Sequence, residues 1–491
     1  FCKKMLRFIK IELIYVIKYI IIKNNKLILD GRKNMKNIIV RLLEIGIVNL
    51  KNVKNGKISF LNSNIKETLT LQLGDILGIY GQNGSGKTTV IEALSILKSI
   101  LVRIPLDNEL KNLITYGEKN IELLFKFYIE IENKKYIVEY KVIIGKTGDN
   151  TIEILSEIIK YSIYTEQDKR WKNTQTLIET PFNENIINSK KYNKNFSSEV
   201  DLLKILISQG ISQKLRVSSI FSQDIKNFLK EDTDLIYIIE ALEYYGNLNL
   251  FIVSNKDIGM ITLNLLLPLK IKNLNSCGDL PIQIDKNESI IVNQIIYPSV
   301  EKAINEINIV LKRIIPDLQL KIEEQRKETL PDGNINIIAD LRSIREGKPI
   351  SLRYESEGIK RIISILGVLI AGYNQPSVCL AIDELDSGIF EYLLGEILEV
   401  LSSEIKGQLI FTSHNLRILE KIDKKNIVFS TTNPENRYIR FKYIKPNNNL
   451  RDMYLRELII QEQAEQLYKE TKQSDIKRAF YRAGVANEKE S

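Results

Sequence analysis

Residues Gly81 to Thr88 read G-Q-N-G-S-G-K-T and follow directly on the apolar run Asp75 to Tyr80 (DILGIY). Thr88 to Leu101 then carries apolar spacing suited to a helix. Strand, glycine loop and helix in that order leave few choices of fold. The glycines let backbone N–H groups curl around phosphate oxygens, and the helix adds its positive N-terminal end. In such a loop Gly81, Asn83, Gly84, Ser85, Gly86, Lys87, Thr88 and Thr89 line the phosphates. Lys87 is the cation for the β and γ phosphates of ATP, and the Thr88 hydroxyl is a ligand for Mg2+.

Two further patterns belong with this loop. The buried strand Ser377 to Ile382 ends in Asp383-Glu384. Asp383 suits Mg2+, and Glu384 suits the orientation and deprotonation of an attacking water. The strand Gln408 to Thr412 is followed by the single histidine of the 491 residues, His414, in Phe-Thr-Ser-His-Asn. An imidazole there can donate to a γ-phosphate. One histidine also excludes two-histidine metal sites, His-Cys zinc clusters and HNH nuclease chemistry. Three widely separated cysteines (Cys2, Cys277, Cys379) show no metal or redox spacing and fit a reducing cytoplasm.

Charge is a poor guide to partners. The net charge is +9, but residues 1–34 hold nine Lys/Arg against Glu12 and Asp30, leaving +2 for the rest. The chain starts with Phe, and Asp30-Gly-Arg-Lys-Asn34 is encodable by a purine-rich, ribosome-binding-like stretch just before Met35. Residues 1–34 are therefore read as translated leader, with native synthesis starting at Met35. A membrane anchor reads less well, because Lys18 interrupts the apolar run Leu13 to Ile22, which is far short of the roughly 20 residues of a span. A signal peptide lacks its small-residue cleavage site.

Elsewhere, Val40 to Val48 reads as a strand, with Lys57 to Leu61 as hairpin partner and Gly56 as the turn. Leu69 to Leu73 is a short alternating piece. Glu122 to Ile144 reads as two antiparallel strands, and Asn173 to Ser198 as a polar loop. Helical spacing covers 199–209, 225–229, 234–248 and 299–315. Strands are expected at 318–323 and 334–342, followed by a helix at 357–372 and another at 390–401. Ile427 to Thr431 and Tyr438 to Tyr443 close the sheet, and Asp452 to Gly484 is a charged helical tail. Arg353-Tyr-Glu-Ser-Glu-Gly-Ile-Lys360 opens the 357–372 helix, with Ser356 as its cap and Gly358 exposing N–H groups to phosphate.

The set of glycine loop, S-x-G helix start, Asp-Glu strand end and Ser-His-Asn turn resembles the ABC-type ATPase head of the SMC and RecF group. It is more similar still to AAA-family ATP-binding proteins of bacterial anti-phage and abortive-infection systems. The resemblance covers about residues 36–100 and 335–450. It implies an α/β P-loop head (35–101 and 331–450), a large mixed insertion (102–330) and a helical tail (451–491). It also implies a homodimer or higher homo-oligomer in which Ser356 and Gly358 of one copy complete the ATP site of another. Asp386 then falls in the loop that communicates between sites. A separately encoded nuclease or toxin is the implied effector, and no membrane is implied.

The match has a gap, because no clear Q-loop glutamine follows the first helix. Gln223 stands in a suitable apolar-then-polar setting or in an ordinary loop, and Lys51 is either a phosphate contact or a surface lysine. A TOPRIM nuclease is absent from the 76 residues after Asn415, which hold no Asp-x-Asp pair, and Asp279 and Asp285 lack metal-nuclease spacing. DNA repair or tethering is the rival function, and a nucleotide-dependent scaffold with little turnover is another. Terminal peptides from protein made by its own gene test the leader: abundant peptides spanning Ile28 to Ile38 would sink the Met35 start.

Overall fold

The computed structural model describes residues 38–68, 74–131, 134–148, 151–181, 199–228, 233–272, 277–283, 289–331, 333–441, 449–460 and 465–488. Residues 1–34, the piece Leu69–Leu73 and Asp285 lie outside them.

The centre is a six-stranded sheet in the order Tyr438–Ile439, Ile427–Ser430, Asp75–Tyr80, Gln408–Thr412, Cys379–Ile382 and Leu250–Val253. All of its pairings are parallel except the outer Ile427–Ser430 with Tyr438–Ile439. Strands of this kind are apolar on both faces because both faces are covered. Leu77, Ile79, Ala381 and Ile410 point into one core, shared with the helix Lys87–Leu101. Ile76, Leu380, Ile382, Leu409 and Phe411 point into the other, shared with the helices Glu357–Asn374 and Glu391–Glu404. The two-residue period of a strand thus splits each sequence between two cores.

Register aligns the strand ends. Ile382 pairs with Phe411, Phe411 with Gly78, and Thr412 with Ile79. Gly81, Asp383 and Ser413 therefore leave the sheet along one edge, where α/β sheets place ligands.

A seven-stranded antiparallel sheet covers the first core. Its order is Val53–Ser59, Ile38–Leu50, Asn120–Ile131, Lys134–Lys146, Ile152–Thr165 and Arg170–Trp171, with Gln175–Thr180 also on Ile152–Thr165. A four-stranded sheet holds Ser289–Asn293, Ile335–Arg345, Leu318–Thr329 and Lys348–Ser351. Segment 102–330 thus supplies strands to the antiparallel sheet and, through Leu250–Val253, one to the central sheet.

Three local expectations are corrected. Gly56 does not make the hairpin turn. It lies inside the strand, paired with Ile47, and the turn falls at Lys51-Asn52, flanked by the positive φ angles of Asn49 and Lys51. Gly56 faces the Tyr438 ring, which a Cβ would approach to 2.6 Å. Gln175–Thr180 is a strand rather than polar loop, with Leu177 and Ile178 buried. The tail is two helices, Leu450–Ile460 and Gln473–Glu488, and residues 465–472 between them are non-helical.

The two main sheets are joined by buried polar side chains. The Gln408 carboxamide accepts from Leu42 N–H at 2.8 Å and donates to Leu42 O at 2.9 Å and Asp75 Oδ2 at 3.1 Å. Leu42 sits at a bulge in its ladder, so these main-chain groups need an outside partner. The fully buried Arg41 donates to Pro376 O at 3.0 Å, and Ser377 Oγ accepts from Val40 N–H at 3.2 Å. Gln408→Leu should orphan both groups of Leu42 and lower stability by about 3 kcal/mol. A thermal or urea unfolding midpoint equal to that of the wild type would remove Gln408 from this role.

Candidate active site

The loop Gly81–Gly86 is drawn tight by its own atoms and by the neighbouring strand. Gly81, Gly84 and Gly86 all have positive φ. Ser85 Oγ donates to Gln82 O at 2.7 Å and is hydrogen-bonded to Ser430 Oγ, and Ser430 Oγ also bonds Tyr80 O. Tyr438 OH donates to Gly86 O at 2.7 Å. Asn52 Nδ2 bonds Gly84 O, and Arg437 bonds Asn52 O. Asn83 and Gly84 are exposed at the mouth, whereas Thr89 is buried beneath the loop with its N–H on Gly86 O. The Lys87 ammonium, nearly buried, curls back on Gly81 O at 2.8 Å and Gln82 O at 3.0 Å. Burial pulls its pKa below the ordinary lysine value, opposed by Asp383, Glu384 and Asp386.

Asp383 joins the helix of this loop to the two strands beside it. Its Oδ1 accepts from Thr88 Oγ1 at 3.2 Å and Thr412 Oγ1 at 2.6 Å. Its Oδ2 is buried and has no hydrogen-bond partner among the described residues. A buried carboxylate oxygen left unmatched is costly, so it marks a place for a cation or bound water. One carboxylate and one hydroxyl suit Mg2+, which keeps several waters and takes phosphate oxygens. Among the described residues no cluster of three or more His, Cys, Asp or Glu could hold a metal by itself.

Glu384 has a φ of +45°, a rare conformation for a side-chain-bearing residue. Its N–H donates to Thr412 Oγ1 at 2.8 Å, and its carbonyl accepts from Ser387 N–H at 2.9 Å. Arg361 Nη2 reaches the carbonyls of Asp383 at 2.8 Å and Glu384 at 3.3 Å. Arg361 is 2% exposed, and burial lowers its pKa to about 10. The strained turn is thus held from both sides, as strain at working sites has to be.

His414 is exposed at the same edge, and its main-chain N–H donates to Asp386 Oδ2 at 3.2 Å. Partial burial and the Lys87 cation lower its pKa, against the pull of Asp386, Glu384 and Asp383. The charges that act on the imidazole are therefore those of the phosphate loop and the acidic turn.

Ser356 caps the helix Glu357–Asn374, with Oγ accepting from Ile359 N–H at 3.3 Å, and is itself exposed. A Cβ on Gly358 would come within 2.1 Å of Gly388 O. Gly358 therefore lets the helix start touch the loop that carries Asp386.

Sequence reasoning missed Arg361, Ser430 and Tyr438 as supports of the site. Arg361 had a signal, a cation inside an otherwise apolar helix; Ser430 and Tyr438 had none. Lys51 is ion-paired with Glu92 on the loop's own helix. Gln223 is exposed and donates to Asn227 Oδ1 at 3.0 Å.

Three solved structures with similar architecture are distant in sequence. A structure of an SMC head bound to the C-winged helix domain of ScpA is 13% identical with a TM-score of 0.44, covering 82% of this chain and 98% of that one. The Pyrococcus yayanosii SMC head with a coiled coil and joint is 11% identical with a TM-score of 0.40, covering 85% and 99%. The recombination mediator RecF with ATP is 14% identical with a TM-score of 0.33, covering 77% and 94%. No curated protein matches the chain in sequence. The strand order and loop placement make the fold a mixed α/β P-loop ATPase head. The AAA ATPase domain matches residues 41–419, most of the 491, and the chain belongs to that family.

Proposed function

We propose that the chain binds ATP at Gly81–Thr89 and hydrolyses it with Glu384 as the water-activating base. The observation that carries this is the Thr88–Asp383–Thr412 junction with its unmatched Asp383 Oδ2. Bound Mg2+ would neutralise phosphate charge and be held by Thr88 and Asp383. Lys87 exchanges the Gly81 and Gln82 carbonyls for phosphate oxygens. Glu384, aimed by its turn and by Arg361, orients a water and takes its proton. His414 donates to the γ-phosphate side. Asp386, through the His414 main chain, ties this histidine to the loop beside Gly358.

The exposed Ser356 and the half-buried Gly358 then serve a second copy of the chain. ATP closes two heads on each other, and hydrolysis releases them. Resemblance of motifs supports a setting in bacterial phage defence, with the cycle switching a separately encoded nuclease or toxin. No observation favours DNA tethering over that setting.

Lys87→Ala is expected to abolish ATP binding in a calorimetric titration. Glu384→Gln should keep binding while hydrolysis falls by about 10²–10⁴. Equal hydrolysis by Glu384→Gln and wild type would take Glu384 out of the reaction. In cells carrying the gene with its neighbours, Lys87→Ala should also lose any protection against phage plating.

The role of Ser356 across copies is separable from its role as a cap. Loss of the cap alone costs about 1 kcal/mol of stability and spares turnover. Ser356→Arg should instead block hydrolysis with single-chain ATP binding intact. Mixing it with Lys87→Ala should restore activity, because one of the two composite sites then has both parts whole. A Ser356→Arg protein that turns over normally alone rejects the shared site.

A further inference from the structure

The segment Glu465–Lys469 lies far along the chain from the phosphate loop, yet it is bonded to it. Lys469 N–H donates to Gln82 Oε1 at 3.1 Å. Four further hydrogen bonds fix the segment to the turn that follows Ser430. Gln466 O accepts from Thr432 N–H at 2.8 Å and from Thr432 Oγ1 at 3.0 Å. The Glu465 carboxylate accepts from Asn433 Nδ2 at 3.0 Å and Asn436 Nδ2 at 2.9 Å. Leu467 is 1% exposed and packs in the second core. The turn so gripped is the one whose flanks hold the loop from behind, through Ser430 on Ser85 and Tyr438 on Gly86.

Gln82 is the point at which this matters. Its main-chain oxygen takes both the Ser85 hydroxyl and the Lys87 ammonium. Its side chain takes the tail. Fixing the carboxamide from outside restricts the peptide whose carbonyl seats Lys87, and preorganised donors bind phosphate better than donors that must be ordered first.

We infer that Glu465–Lys469 is a positioning element of the nucleotide site, acting through the Gln82 carboxamide to hold the phosphate loop ready for ATP. This rests on the nucleotide reading of the loop. Lys469 and Gln82 are positioning residues, not phosphate ligands. The helix Gln473–Glu488, exposed over 473–483, begins after three intervening residues, so whatever holds or pulls that helix acts on ATP affinity.

The test is a double-variant cycle in the full chain, read as Kd for MgATP by calorimetry. Lys469→Pro removes the N–H donor, and Gln82→Leu removes its acceptor. Each is expected to weaken binding about fivefold, the worth of one net hydrogen bond. The double variant should be no weaker than the worse single one, because both remove the same bond. Ligand-free melting temperatures of the variants should fall by no more than about 2 °C, as for loss of one hydrogen bond, which separates positioning from general loosening. If Lys469→Pro does not fold, Glu465→Ala takes its place, since it frees the same segment at its other end. Wild-type Kd in both singles, or losses that multiply in the double, would overturn the inference. The wild-type titration is read first: no MgATP binding there would overturn the nucleotide reading itself, whereas binding there with unaffected variants overturns only the role of the tail.

Discussion

The shared edge of three parallel strands is the constraint from which the site follows. Because Ile382, Phe411 and Gly78 lie in register, the residues after each strand emerge side by side. Asp383 then needs no long loop to reach Thr88 and Thr412; the loop's helix and the neighbouring strand bring both hydroxyls to one carboxylate oxygen. A one-residue slip of any strand would move its end off the site and turn its apolar set to the wrong core. The chemistry is therefore specified by backbone pairing, and the side chains complete it.

Electrostatics at this edge are balanced by cations that are scarcely exposed. Lys87 and Arg361 are both nearly buried, and burial lowers the pKa of each. Such charges persist because each has oxygen partners, carbonyls for both and carboxylates nearby. Their settings differ. Lys87 holds two carbonyls of its own glycine loop, whereas Arg361 holds the carbonyls of a turn with a positive φ.

The sequence made the phosphate loop, the acidic strand end and the histidine turn legible because each joins an apolar strand to a short polar pattern. The helix cap at Ser356 was legible for the same reason, and the structure places its hydroxyl on Ile359 N–H. Supports that act across the sheet were not. Ser430 and Tyr438 reach the loop from strands more than 300 residues away, and no local spacing encodes such a contact. Gly56 was misread because a glycine beside polar residues signals a turn, while here it makes room for the Tyr438 ring. The strand Leu250–Val253 went unassigned because four apolar residues after a helix carry too little period to stand out.

The division of the central strands between two cores has a consequence for how the protein comes apart. Leu77 and Ile79 belong to one core, Ile76 and Tyr80 to the other, on a single six-residue strand. Neither core can melt while that strand stays ordered, and its loss dissolves both. Cooperativity is thereby built into the strand that carries the phosphate loop. Amide hydrogens of Asp75–Tyr80 are therefore expected to exchange through global rather than local opening.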